Sequence, residues 1–307
     1  MPDDDDLDFT SPSAPAAPEA PATPSAPFKA ARSPFYKAEV AELIFRSAGK
    51  AERYVAGQAI FAEDEKVSGG GIFSMRAATR MYFLAEGEVA LSIDGRPLDT
   101  VSKGEVFGEM AVISERPRTA TATAKTACVV HSLSADELRA ALATLPDFAL
   151  MLMSVMFDRL RFIAARLATR RATIAVRQPE APVFDAALLA QLEGALAQPM
   201  PARYAAGASI MREGQAGVVM YVVKSGRVSI SLGANVVEIV GTGGTFGEMA
   251  LVDQSPRIAS AAAIEDCELL AIDRAALMGA VKQQPAFAMA MLRSIADRLR
   301  HMNAQLG

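Results

Sequence analysis

Apolar residues step by three and four along two stretches of the chain: Met153, Met156, Leu160, Ile163 and Leu167, and again Leu292, Ile295, Leu299, Met302 and Leu306. That spacing gathers them on one helical face. It predicts long helices over about 146–172 and 285–305, each opening on a proline suited to a first helical turn. Shorter helical patterns cover 38–45 (Val40, Leu43, Ile44) and 184–196. Between the helices the apolar runs are short and broken by turn residues, which is the pattern of strands. Asp94-Gly95, between Leu91-Ser92-Ile93 and Leu98-Asp99-Thr100-Val101, predicts a hairpin, because both residues tolerate positive φ. Gly233-Ala234-Asn235 does the equivalent job later. Many short antiparallel strands with regular turns predict a small double-sheet barrel.

The pattern occurs twice. Phe107-Gly108-Glu109-Met110-Ala111 returns as Phe246-Gly247-Glu248-Met249-Ala250, an offset of 139. The same offset relates Pro117-Arg118 to Pro256-Arg257, Cys128 to Cys267, and Asp158-Arg159-Leu160-Arg161 to Asp297-Arg298-Leu299-Arg300. Upstream, Arg53-Tyr54-Val55-Ala56-Gly57 matches Arg203-Tyr204-Ala205-Ala206-Gly207 at 150, so the first repeat carries 11 extra residues. They lie between Glu63 and Met81, around Gly69-Gly70-Gly71, and read as a loop between two strands. Residues 1–35 hold eight of the 17 prolines and almost no large apolar residues, which predicts disorder. The expected organisation is a tail (1–35), a first domain (36–172), a linker (173–183) and a second domain (184–307). The fold class is mainly β with helices: two double-stranded β-helix (jelly-roll) barrels, each followed by a long lid helix.

Composition narrows the chemistry. Hydrophobic residues make up 51% of the 307, enough for two cores. Lys and Arg number 31 against 35 Asp and Glu, a net charge of −4 that argues against nonspecific binding to a polyanion. Two cysteines and two histidines are too few for a disulfide framework or a Cys/His zinc cluster. No nucleophile–base pattern accompanies them, so neither catalytic nor metal-ligating residues are expected and the protein is read as no enzyme. The start, Met-Pro-Asp-Asp-Asp-Asp, lacks the positive charge of a secretory signal, and no apolar run reaches a membrane span. A soluble, cytoplasmic protein with no membrane contact is the expectation.

In both repeats a Gly-Glu pair precedes an arginine that follows proline: Gly108, Glu109 and Arg118; Gly247, Glu248 and Arg257. Glycine permits close backbone approach, and a helix starting there turns free N–H groups toward an anion. Arginine supplies a permanently charged fork for phosphate oxygens, and a carboxylate accepts from a sugar hydroxyl. Together they describe a site for a phosphorylated ribose.

These residues resemble the phosphate-binding cassette of the cyclic nucleotide-binding domain family, matched by FGEMAVISERPRTAT (107–121) and FGEMALVDQSPRIAS (246–260). The resemblance covers both repeats. It implies Glu109 and Glu248 on the ribose 2′-hydroxyl, and Arg118 and Arg257 on the cyclic phosphate. Backbone amides near Met110, Ala111 and Ala120, and near Met249, Ala250 and Ala259, would complete each cradle. In the family a hydroxyl after the arginine is often associated with guanine; Thr119 stands there in the first repeat and Ile258 in the second. Cyclic AMP is therefore the expected ligand of both sites, with cyclic GMP at the first as the alternative. No other cofactor is implied.

The apolar face of each long helix fits either pairing with another helix or packing on its own barrel. Parallel pairing within one chain needs a return of about 37 Å, and residues 173–183 span roughly 36 Å when extended. Pairing between two chains is at least as feasible, so a homodimer through the long helices is expected. No helix-turn-helix segment follows the second long helix, so direct DNA binding is not expected. The leading reading is a cytoplasmic cyclic nucleotide sensor whose lid helices act on a protein effector, itself unidentified. The alternative is a tandem β-barrel interaction protein whose Glu–Arg pairs close empty barrels.

Overall fold

The computed structural model of the chain describes residues 35–64, 79–169, 175–179, 182–196 and 200–305. The tail up to residue 34, the Gly69-Gly70-Gly71 triplet, part of the expected linker, and Leu306 lie outside them. The first repeat runs α1 (Ala38–Ala48), β1 (Lys50–Tyr54), β2 (Ala59–Phe61), β3 (Arg80–Glu86), β4 (Glu88–Ile93), β5 (Arg96–Ser102), β6 (Val106–Phe107), α2 (Glu109–Ser114), β7 (Thr121–Ala124), β8 (Cys128–Ser134), α3 (Ala135–Thr144) and α4 (Asp147–Thr169). The second runs α5 (Ala186–Ala195), β9 (Met200–Tyr204), β10 (Ser209–Met211), β11 (Val219–Ser225), β12 (Val228–Leu232), β13 (Asn235–Val240), β14 (Thr245–Phe246), α6 (Glu248–Asp253), β15 (Ser260–Ala263), β16 (Cys267–Asp273), α7 (Arg274–Gln283) and α8 (Pro285–Ala304).

Each repeat is a pair of four-stranded antiparallel sheets, the double-sheet barrel expected. The orders are β1-β8-β3-β6 and β2-β7-β4-β5 in the first, and β9-β16-β11-β14 and β10-β15-β12-β13 in the second. Local chemistry sets the boundaries. Asp94 and Gly95 take φ of 49° and 73° between β4 and β5, the left-handed pair a tight hairpin needs. In the second repeat the turn is Gly233 and Ala234, and Asn235 already opens β13. Ser134 caps α3 in a capping box with Glu137, while Asp185 and Asp273 cap α5 and α7 through the amides of Leu188 and Ala276, both at 2.8 Å.

The expected apolar face of α4 is buried at Met153, Met156, Leu160, Ile163 and Leu167, and that of α8 at Leu292, Ile295 and Leu299. The two helices pack on each other within one chain, and their residues form one core with strand residues such as Met81, Phe83, Met220 and Val222, while each barrel interior is a cluster of its own. They run parallel: Lys282, just before α8, pairs with Asp147 at the start of α4 (3.2 Å), while His301 Nε2 near the end of α8 lies 2.8 Å from the carbonyl of Ala175, beyond α4. The seam that the sequence assigned at least as readily to a second chain is thus filled internally.

The connection returns over less than a full helix length. The linker leaves Ala175 at the level of His301, and Phe184 stacks on Phe287 with centroids 5.0 Å apart. From His301 to Phe287 the helix rises about 21 Å, and the nine residues from Ala175 to Phe184 reach about 30 Å. On the way Arg177 adds to β13, donating to the Val237 carbonyl (2.8 Å) and accepting from the Ile239 amide (2.9 Å).

Candidate functional site: two crossed pockets

The sharp turn into α2 and α6 is made by Gly108 and Gly247, with φ of 71° and 83°. A Cβ at either would meet the following arginine's Nη1, at 2.9 Å and 2.6 Å. Only glycine therefore lets the turn and the arginine share this space. Arg118 donates from Nη1 to the Gly108 carbonyl (2.9 Å) and from Nη2 to that of Arg80 (2.6 Å), and its guanidinium lies 4.0 Å over the Phe61 ring. Arg257 repeats the pattern on the carbonyls of Gly247 (2.5 Å) and Val219. They are 7% and 6% exposed, so two permanent cations sit inside the barrels. Burial pulls the Arg257 guanidinium below its ordinary pKa, and among the described residues no carboxylate lies within ion-pair distance of it. An anion delivered to this position would offset that cost.

Glu109 and Glu248 begin the two short helices and are 1% and 2% exposed. One carboxylate oxygen of each is held by an arginine of the long helix in the same repeat: Arg159 on α4 holds Glu109, and Arg298 on α8 holds Glu248. The same arginines donate to the carbonyls of Val106 (2.6 Å) and Thr245. Burial alone would lower both guanidinium pKa values; the facing carboxylates outweigh it and raise them. The other oxygen, Oε2, is buried without a hydrogen-bond partner in both Glu109 and Glu248. A buried unsatisfied carboxylate oxygen is costly, and it is suited to a hydroxyl donor. Arg159 and Arg298 were visible in the sequence only as members of a repeated tetrapeptide.

All fourteen candidate residues gather in two pockets. Gly108, Glu109, Met110, Ala111, Arg118, Thr119 and Ala120 line the first; Gly247, Glu248, Met249, Ala250, Arg257, Ile258 and Ala259 line the second. The long helices are the lids expected from the sequence, but each also reaches across to the other repeat. Leu299 and Asn303, from α8 of the second repeat, line the first pocket, and Leu160 and Ala164, from α4 of the first repeat, line the second. Each helix thus holds the glutamate of its own repeat and lids the pocket of the other. Polar contacts fix the crossing: Arg161 donates to Asp253 and to Ser255 Oγ (2.7 Å), while Arg300 donates to the Pro117 carbonyl (2.9 Å) and Ser114 Oγ (3.3 Å).

One position breaks the symmetry beside the glutamates. Glu238 in the second pocket is held by Arg177 of the linker and by Arg298 Nε at 3.0 Å. Its counterpart at the 139 offset, Asp99, accepts from the Thr100 amide (2.8 Å), and burial raises its carboxyl pKa. Among the described residues no helix is long and apolar enough to cross a membrane.

The family model for the cyclic nucleotide-binding domain matches residues 51–144 and 201–284, more than half of the chain. The chain is 32% identical over 130 residues to the CRP-like cAMP-activated global transcriptional regulator of Mycobacterium tuberculosis, covering 41% of this chain and 55% of that protein. It is 30% identical over 184 residues to the cAMP-dependent protein kinase regulatory subunit of Eremothecium gossypii, covering 59% of this chain and 35% of that one. The matched region thus spans between about a third and just over half of these relatives' lengths. Among solved structures, the regulatory domain of Toxoplasma gondii PKA with cAMP is 23% identical, with a TM-score of 0.28, covering 81% of this chain and 96% of that one.

Proposed function

Because this chain belongs to the cyclic nucleotide-binding domain family, we propose that both of its pockets bind a cyclic purine nucleotide, cyclic AMP in the first instance, and that it is a cytoplasmic regulatory protein, not an enzyme, acting through a protein partner. The domains are 36–172 and 184–307, joined by 173–183. Glu109 and Glu248 accept the ribose 2′-hydroxyl through Oε2. Arg118 and Arg257 exchange backbone carbonyls for the cyclic phosphate, with amides of Met110, Ala111 and Ala120, and of Met249, Ala250 and Ala259, beside them. One observation carries this reading: twice in the molecule, a buried glutamate with an unpartnered oxygen stands in one pocket with a buried arginine.

The geometry also supports a mechanism. The sugar reaches a glutamate held by one long helix, and the rest of the nucleotide lies under the other. A ligand shifts the helix arrangement only as far as it prefers one arrangement. Since each pocket borrows a wall from the opposite repeat, filling one changes the affinity of the other, and the effect is reciprocal. The paired helices would carry that change to the partner.

Calorimetric titration of cyclic AMP and cyclic GMP into the full chain, Arg118→Ala and Arg257→Ala tests the reading. Two transitions are expected in the wild type, one lost in each variant. The loss should exceed about 100-fold, since two charge-assisted hydrogen bonds contribute roughly 1.5–3 kcal/mol each. Silence with both nucleotides would overturn the proposal in favour of an interaction module with empty barrels.

A further inference from the structure

We propose that Arg177, carried by the linker, is a positioning residue of the second pocket: by holding Glu238 it leaves Arg298 to Glu248, and it ties the affinity of that pocket, and not of the first, to the docking of the linker. The inference rests on the nucleotide-binding reading and deepens it. Arg177 belongs to neither barrel, yet its bridge partner on β13 is Glu238 itself. Backbone bonds to Val237 and Ile239 fix it there, and its Nη1 holds Glu238 Oε1. The pair is nearly out of water, with side chains 12% and 9% exposed.

Four charges run in a row from the linker into the pocket. Glu238 Oε2 accepts from Arg298 Nε at 3.0 Å, and Arg298 Nη1 holds Oε1 of Glu248, whose Oε2 is the unpartnered oxygen. Arg298 thus faces two carboxylates, and both line the pocket. One guanidinium shared between two carboxylates leaves a buried negative charge uncompensated, and Arg177 cancels it. Burial pulls the Arg177 guanidinium below its ordinary pKa even with Glu238 beside it, so the cation is held there at a cost in solvation. Arg177, Arg257 and Arg298 against Glu238 and Glu248 leave one positive charge, the complement of a cyclic phosphate's single negative one. Without Arg177 the set is neutral.

The first pocket is the internal control. Asp99 stands in the place of Glu238 at the 139 offset and lines the pocket, but it keeps the Thr100 amide and has no ion pair among the described residues. Among those residues Arg159 has one ion-pair partner, Glu109, and no second carboxylate competes for it at that distance.

The test is calorimetric titration of cyclic AMP into the full chain, with Arg118→Ala isolating the second pocket and Arg257→Ala the first. Arg177→Ala should weaken the second pocket about 10-fold, the effect of one unit charge across a partly screened interior. Arg177→Gln, which keeps a donor for Glu238 but no charge, should do nearly as much, and it carries the test should Arg177→Ala fail to fold. Arg177→Lys keeps the charge and should lose clearly less. The first pocket should change by less than about 2-fold in each, which also reports that the chain is folded. Adding Glu238→Gln to Arg177→Gln should restore the wild-type affinity, because removing both members of a pair strands neither charge. A second pocket indifferent to both neutral variants, an equal loss at both pockets, or a double variant no tighter than Arg177→Gln overturns the positioning role while nucleotide binding stands. Silence of the unmutated chain toward cyclic AMP and cyclic GMP instead removes the underlying reading, and the role of Arg177 with it.

Discussion

The two pockets are alike where they manage charge and unlike where they manage shape. Glycine, glutamate, cassette arginine and helix arginine recur at the same offset: Gly108, Glu109, Arg118 and Arg159 against Gly247, Glu248, Arg257 and Arg298. Their hydrogen bonds recur with them. Away from this quartet the walls diverge: Phe61 against Met211, Thr119 against Ile258, Asn303 against Ala164, Asp99 against Glu238. A buried ion pair tolerates little change, because removing one partner strands the other in a low-dielectric interior. An apolar wall tolerates exchange at roughly constant volume. Under the proposed function the repeated half is what a cyclic nucleotide would demand of either pocket, and the differing half leaves room for the pockets to differ in preference.

The sharpest way to break the likeness is to remove the helix arginines. Arg159 holds one buried glutamate, whereas Arg298 holds Glu248 and also Glu238. Arg298→Ala should destabilise the protein by about 3–5 kcal/mol, with Arg159→Ala at the lower end of that range. Urea unfolding followed by circular dichroism measures both, and equal losses would mean that Glu238 is satisfied by Arg177 alone.

A smaller effect separates the two crossings. Arg161 reaches the second cassette through Asp253, a charged partner; Arg300 reaches the first through Ser114 and a carbonyl, all neutral. Burial correspondingly lowers the Arg300 pKa. Asp253→Ala should cost about 1.5–3 kcal/mol, and Ser114→Ala about 0.5 kcal/mol. The same unfolding experiment decides, and a larger loss for Ser114→Ala would show that the crossings are not ranked by charge.

How much of this could be read from the sequence depended on how local the signal was. The barrels, hairpins and cassettes are written in short motifs, and repetition made them unmistakable. The helix seam was equally plain, because a 3–4 spacing needs only one helix to be seen. Its partner was not. A linker returning along a whole helix would be barely long enough, whereas Phe184 docks on Phe287, two residues inside α8. The crossed lids were invisible for a related reason: Asn303 and Leu299 meet the first pocket across nearly two hundred residues, and no local pattern marks that meeting. Arg159 and Arg298 stood in plain view, but a repeated arginine on a helix says nothing of the carboxylate it faces until the helix is placed.

The finest difference concerns Asp99 and Glu238. Glu238 reaches two guanidinium groups; Asp99, one methylene shorter, has no ion pair among the described residues and keeps a backbone amide. Burial raises the Asp99 pKa above the ordinary carboxylate value. Between that ordinary value and the raised one the native state holds a proton that the unfolded state has lost, so stability falls as pH rises through the window. At neutral pH the native protein therefore carries the cost of a buried charge. Asp99→Asn removes the charge and keeps the acceptor for the Thr100 amide. It should raise the midpoint of thermal unfolding slightly at pH 7, and the gain should vanish below about pH 4, where aspartate is protonated in both states. Glu238→Gln should do the opposite at neutral pH, because it takes a charge away from two arginines that face it. A loss of stability at pH 7 in Asp99→Asn would mean that its carboxylate is held by Arg159 as Glu238 is by Arg298, and the two pockets would then be closer in their charge than their geometry makes them.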